Sequence, residues 1–490
     1  MNLRGLGLLR GLALFAACCL VALLGCEDKP EKARVPAHPF AGQTVTVSFP
    51  AGYGFGDSWK AALDEWAEQT GAKCNLAEYT RGPLGLKEFP TADVVVLAYS
   101  DVPAMAAGDR LAGIPEISQT GDVSGGWNDF FPGVRDRVLT ISGRPTLIPI
   151  SCPVLACYLR GDLLAKAGLK PPTTWDEYQT LLDTLPKWAP GLSAVEPWGE
   201  DFRATLFLSR ALPSVKKAGS YSVYFDIDTG APLIDSPAFV RTLTQSVAQF
   251  SELSRDSNKL SPADCRRLIL TGKAAMAISF EPGRADEKPI ERAPGVSLVL
   301  ARLPGARQVY DRKASTWDSL PDSEVNYATL APVGGLAMAV AQSIAAERAE
   351  AAWNLVNFLS VDRYQQALAT VPKSVCRESQ MANAVDWIGP ELRTDEMYGY
   401  LAVSSESLRT TNLSPELPVV GRGELRKSLT EGITSALEGK ATPEAALKEV
   451  ADRWKAVSAG FGVERMRDSY RACLGLAPVL KLPEISSPQH

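Results

Sequence analysis

Residues Asp93 to Leu97 read DVVVL, a run with no polar face. A strand of that kind must be covered on both sides, which is the setting of a parallel sheet packed between helices. The segments around it follow the same logic. Thr44 to Phe49 alternates, with Val45, Val47 and Phe49 on one face. A helix follows whose apolar side is Trp59, Ala62, Leu63 and Trp66, and Gly71 ends it. Cys74 to Tyr79 supplies a second strand, and Val102 to Gly108 a short helix. Strand–helix–strand order around an apolar central strand predicts an α/β fold layered helix-sheet-helix.

The chain has 490 residues, about three times the ~150-residue norm for a domain, so two or three compact units are expected. A second unit begins near Pro149. Ser151 to Tyr158 is extended and apolar, and a helix from Asp162 closes at Gly168. Thr174-x-x-Glu177 is a capping box opening the next helix. FDIDTGAPLI (225–234) reads as a hairpin, and Ser236-Pro237 starts a long helix. Strands are expected over Ala274 to Phe280, Val296 to Leu300 and Leu336 to Ala341. Helices are expected near 345–359, 423–438 and 443–458.

Composition narrows the function. Fifty-one basic against 56 acidic side chains leave a net charge of -5, which offers no general attraction to phosphate backbones and argues against nucleic acid. The only histidines are His38, in a Pro-containing segment, and His490, the last residue. A folded body without histidine lacks the central residue of Ser-His and Cys-His catalysis and of His-bearing zinc sites. The N-terminus carries Arg4 and Arg10, then an apolar run to Leu24, shorter than the roughly 20 residues a membrane span needs. Leu23-Leu24-Gly25-Cys26 resembles a bacterial lipobox, whose cysteine is acylated and becomes the mature N-terminus. The charged, Pro-rich residues 27–42 then read as a tether, and 477–490 as a loose tail. Removing Cys18, Cys19 and Cys26 from nine cysteines leaves six (Cys74, Cys152, Cys157, Cys265, Cys376 and Cys473). Their pairing stays open, with buried free thiols the alternative.

Motifs for chemistry are few. Gly52-Tyr-Gly54-Phe-Gly56 follows a strand and opens a helix, but its third glycine comes one residue early for a dinucleotide turn, and Tyr53 and Phe55 stand where a pyrophosphate needs bare backbone. What survives is a strand-to-helix loop at the carboxyl edge of a parallel sheet, where such folds bind ligands. Asp226-x-Asp228-x-Gly230 begins like a calcium loop but lacks the downstream glutamate. No cofactor or metal motif is present in full.

Several blocks, in order, resemble the family-1 extracellular solute-binding proteins, the sugar-type receptors of ABC importers. They are WAEQTG (66–71), ADVVVLAYSDVPAMAAGDRLAGIPE (92–116), IPISCPVLACYLRGDLLAKAGLKPPTTWDEY (148–178), GKAAMAISFEPG (272–283), GGLAMAV (334–340) and GKATPEAALKEVADRW (439–454). Leu159-Arg160 departs from the family's usual Tyr-Asn after the hinge strand. The resemblance implies a two-lobed, type II periplasmic-binding-protein-like fold with hinge-linked α/β lobes. Lobe I would take 43–150 and 332–385, and lobe II 151–331 and 386–476. It implies a small polar ligand, a sugar or oligosaccharide, gripped between the lobes by a monomer. Its partners would be an ABC permease and, through a lipid on Cys26, the membrane.

Candidate ligand contacts are Tyr53, Phe55, Asp57, Tyr99, Ser100 and Asp101 in lobe I, and Trp198, Asp201, Glu281 and Trp317 in lobe II, with Ser151, Gly335 and Arg377 near the hinge. Aromatic rings suit the apolar faces of sugars, and carboxylates and amides suit their hydroxyls. Asp57 has a competing role as a helix cap. Two other functions remain open: an exported carbohydrate-active enzyme using paired carboxylates, and a sensor that reports ligand to a membrane partner.

Overall fold

The computed structural model describes residues 38–51, 56–82, 90–116, 126–281, 290–361, 374–387 and 391–477. The expected leader and most of the tether and tail, Cys26 among them, lie outside the described residues.

Two sheets organise the chain. In order along it come β1 (Thr44–Pro50), β2 (Lys73–Tyr79), β3 (Val94–Ala98), β4 (Ile148–Pro149), β5 (Ala156–Arg160), β6 (Ser193–Val195), β7 (Ala274–Ser279), β8 (Leu298–Arg302) and β9 (Leu336–Val340). The first sheet runs β2-β1-β3-β9-β4, and the second β8-β5-β7-β6. Strands β2, β1 and β3 are parallel, whereas β9 is antiparallel to both its neighbours. Every residue of β3 and of β9 is buried, as the DVVVL run demands. The second sheet is mixed: β5 pairs antiparallel with β7 and β8, and β6 joins parallel to β7.

Besides short helices at Pro132–Arg137 and Gly161–Ala167, the helices are α1 (Gly56–Thr70), α2 (Val102–Ala106), α3 (Trp175–Trp188), α4 (Glu200–Val215), α5 (Pro237–Phe250), α6 (Pro262–Leu270), α7 (Ala346–Leu359), α8 (Thr394–Arg409), α9 (Arg422–Leu437), α10 (Pro443–Phe461) and α11 (Val463–Cys473). Trp59 and Trp66 of α1 are wholly buried, and the Trp66 indole N–H donates to Asn354 Oδ1 of α7 at 2.8 Å. One core covers the first sheet and continues onto Cys265, Ile269 and Leu298 beside the second. The other lies across the second sheet, under α3, α4, α5, α9 and α10. The last helix turns back toward the first sheet's side, where Ser142 N–H donates to Ala472 O at 2.8 Å.

Local expectations meet specific corrections. The strand expected at Val296–Leu300 starts two residues later, because Gly295 turns with φ +75° and Val296 N–H still bonds back to Ala293 O. Thr174 caps α3 by accepting from Glu177 N–H at 3.2 Å, but Glu177 returns its bond to Thr173 instead of closing a reciprocal box. The 225–234 hairpin is one bridge, Phe225 to Pro232, around a turn in which Asp226 Oδ1 accepts from the N–H groups of Asp228 and Thr229. That turn accounts for the calcium-like spacing. Helix α4 is buried from Arg203 to Pro213, its two arginines included, so its polar positions do not mark a solvent face.

Burial of α4 places a charge in the core. Arg210 Nη1 donates to both carboxylate oxygens of Glu196, at 2.9 and 2.8 Å, and both side chains are at most 3% exposed. Its guanidinium also stacks on Trp175, 4.0 Å from the ring centroid. Removing one partner of such a pair strands a buried charge. Glu196→Ala is expected to cost about 3–5 kcal/mol, read as a lower urea midpoint at unchanged slope.

Candidate functional site

A cleft of about 1100 Å³ opens between the loops of the two sheets. On the first side it is lined by Arg81 after β2, by Tyr99, Ser100 and Asp101 after β3, and by Gly334 and Gly335 before β9. On the second side it is lined by Asp201, Phe202 and Thr205 at the start of α4, by Phe280 after β7, and by Glu416, Arg422 and Arg426. Loops at the carboxyl ends of β2 and β3 therefore form one wall, as the parallel arrangement predicts.

Asp101 is 1% exposed and anchors that wall. It accepts from Arg81 Nε at 2.6 Å and Nη2 at 3.1 Å, and the same Nη2 donates to Ser100 Oγ at 2.7 Å. The fork holds the guanidinium at the cleft surface. The close approach behind Tyr99 requires Gly335: a Cβ there would meet Ser151 O at 2.3 Å and Tyr99 Cε2 at 2.9 Å. The Ser151 hydroxyl accepts from Leu336 N–H at 3.3 Å, pinning the first crossing strand to the returning one.

Across the cleft, Glu416 accepts from Arg422 at 2.8 Å, Arg426 at 3.0 Å and the Thr205 hydroxyl at 2.8 Å. Burial opposes the charge on Glu416, but Arg422, Arg426 and the Thr205 bond hold its carboxyl below the ordinary glutamate value. Arg426 also donates to the carbonyl of Asp201, which ties α9 to the start of α4. Phe202 and Phe280 stack with centroids 6.3 Å apart and planes 26° apart. The cleft thus combines a flat aromatic pair with guanidinium, carboxylate and hydroxyl groups held in fixed directions. That combination suits a hydroxylated ligand with apolar ring faces.

Of the residues singled out in the sequence, Tyr99, Ser100, Asp101, Asp201 and Gly335 line the cleft, and Ser151 lies directly behind it. Tyr53 and Phe55 lie outside the described residues, and of Asp57 only its place in the first turn of α1 is described. Four others are placed elsewhere. Trp198 is 1% exposed in the second core, with its indole N–H on Glu196 Oε2 at 2.9 Å and its ring edge-on to Phe250. Glu281 is buried, held by Arg266 at 2.7 and 2.9 Å and by the Tyr158 hydroxyl at 2.7 Å. Trp317 sits on a two-stranded ribbon under the Arg241 guanidinium. Arg377 is buried with its guanidinium 3.9 Å from the Phe130 centroid and 3.7 Å from Asp129.

Arg81, Phe202, Phe280, Glu416, Arg422 and Arg426 are cleft residues that sequence reasoning passed over. A signal existed for two. Phe280 directly precedes the candidate Glu281 at the carboxyl end of β7. Arg81 follows β2 on the same carboxyl edge as Tyr99. Arg422 and Arg426 are four apart on α9 and so share a face, but only the fold supplies Glu416 between them.

Two lobes with a polar, aromatic cleft between them define a ligand-gripping protein of the two-lobed binding class. The family model described as bacterial extracellular solute-binding protein matches residues 56–366, more than half of the chain. The chain belongs to this family. Solved structures share the fold. The sugar-binding protein MalE from Xanthomonas citri superposes with a TM-score of 0.64 at 17% identity, covering 85% of this chain and 98% of that one. An ABC transporter solute-binding protein from Agrobacterium radiobacter K84, in complex with ribitol, gives 0.60 at 19% identity, covering 85% and 99%. Maltose-bound MalE3 of T. maritima gives 0.58 at 20% identity, covering 84% and 99%. No helix among the described residues is long and apolar enough to cross a membrane.

Two outcomes test this account of the site. Trp198→Ala should lower stability by about 3–5 kcal/mol in a denaturant titration, as loss of a core indole does. For Glu416, a depressed folded pKa stabilises above its unfolded value of 4.5, and that contribution is lost as pH falls through the folded value. Glu416→Gln should therefore lower the melting temperature at pH 7, and the gap to the unaltered chain should close as the pH is taken below 4.5.

Proposed function

We propose that this chain is an exported, lipid-anchored receptor that captures a sugar, polyol or short oligosaccharide in the cleft and delivers it to an ABC permease. The cleft itself carries the reading: one wall from each lobe, with the Phe202–Phe280 pair and the Arg81–Asp101 fork facing a common space. A ligand that touches both walls favours the closed arrangement by its differential contacts, and the hinge crossings accommodate the motion. Maltose, ribitol and D-mannitol bound to proteins of the same fold support a polyhydroxylated ligand here.

The N-terminus supports the anchored form. A basic start, a short apolar run and Leu-Leu-Gly-Cys26 fit export followed by acylation, and a tethered receptor keeps a high effective concentration near its permease. Cys26→Ser should release the protein from the membrane fraction into the soluble one, read by fractionation and mass spectrometry.

A thermal-shift screen over monosaccharides, maltodextrins and pentitols and hexitols tests the ligand. At a ligand concentration of about 100 Kd, stabilisation of about 2.7 kcal/mol is expected, with no product formed. Phe202→Ala should weaken binding without changing the melting temperature of the free protein by a comparable amount. If no saccharide or polyol shifts the transition, the carbohydrate reading falls.

A further inference from the structure

The pairing of the six body cysteines, open in the sequence, meets a specific juxtaposition in the structure. Cys152 begins the first crossing, just after β4, and Cys376 lies 224 residues later in the segment 374–377. The fold brings them onto the same few atoms. Cys152 N–H donates to Ser374 Oγ at 2.5 Å, and the Cys376 thiol donates to Ser374 O at 3.8 Å. Both are free thiols in the structure, and both residues bond to Ser374. The Tyr99 hydroxyl is 3.4 Å from Cys152 Sγ. Gln380 Oε1 fixes the Cys376 backbone, accepting from its N–H at 2.7 Å. Both cysteines are at most 1% exposed.

The other four have different surroundings. Cys157 on β5 and Cys265 on α6 both lie near Glu196, Cys473 lies on α11, and Cys74 lies on β2 near Asp64.

We propose that Cys152 and Cys376 are a disulfide pair of the exported protein, a covalent tie between the first hinge crossing and the 374–377 segment beneath Tyr99. This rests on the export reading, since a disulfide persists in an oxidising compartment. In the reaction each thiol gives up its proton, one S–S bond forms, and the two electrons pass to the disulfide of an exported thiol oxidase, which leaves as two thiols. Burial raises the Cys376 thiol well above its ordinary pKa, so exchange takes place while the chain is still folding and the thiols are open. A link across so long a loop removes much of the unfolded chain's freedom, and it stiffens the wall that Tyr99 presents to the cleft.

Peptide mapping tests the pairing. The full chain is directed to a bacterial periplasm by a host leader, then denatured without reductant in iodoacetamide, so that neither its own N-terminus nor a ligand enters the result. Peptides carrying Cys152 and Cys376 should emerge joined and two hydrogens lighter than the separate thiols, with Cys74, Cys157, Cys265 and Cys473 alkylated. Alkylation of both Cys152 and Cys376, or either one joined to another cysteine, overturns the proposal. Dithiothreitol should also lower the melting temperature of the unaltered protein, and Cys152→Ser and Cys376→Ser should each abolish that response. A reductant response that survives in either variant overturns it as well. Saccharide binding is measured separately, so failure of the disulfide leaves the receptor reading standing, and the reverse.

Discussion

Strand β9 is the piece on which the rest of the architecture depends. It lies between β3 and β4, yet it arrives only after the chain has built the second sheet. The first sheet therefore cannot close until the chain has left it and returned. Each passage is a crossing strand, and the crossings must pack against one another where they meet. That meeting is tight enough to exclude a Cβ at Gly335, because Ser151 O occupies the space. The cleft lies beside this junction because loops that leave β3 and loops that precede β9 open on the same edge.

Charge is handled by the same economy throughout. Asp101, Glu196, Glu281 and Glu416 are carboxylates withdrawn from water, and each is held by one or two arginines. A buried carboxylate without such a partner would be costly, whereas a forked guanidinium satisfies its lone pairs and fixes its direction. Glu196 and Glu281 spend that arrangement on the interior of the second lobe. Asp101 and Glu416 use it to set the polarity of the cleft, one on each wall. No histidine is among the described residues that line the cleft.

Much of the first lobe was legible from periodicity. DVVVL requires cover on both faces, and Trp59 and Trp66 recur on one helical side, so their burial follows from one-dimensional pattern. The family resemblance also placed the segment after β3 at the cleft, which Tyr99, Ser100 and Asp101 line. Trp198 shows where such reasoning stops. Pro197 and Gly199 give it the look of a loop aromatic, but Glu196 and Phe250, the latter from a helix 52 residues away, enclose it. Glu281 has a similar history: its partner Arg266 lies on α6, and only packing of α6 on β7 brings the two together.

The sequence by itself determined much of the alternation of strands and helices and the buried face of elements such as β3 and α1, because these depend on neighbours within one or two turns of chain. The tertiary structure alone decided which polar residues meet. Glu416 and Arg422 are close in sequence, but their approach to Thr205, and the contact of Cys152 with Ser374, join parts of the chain separated by some two hundred residues. Such contacts leave no local periodicity, since the free energy that selects them comes from closing two sheets around shared crossings.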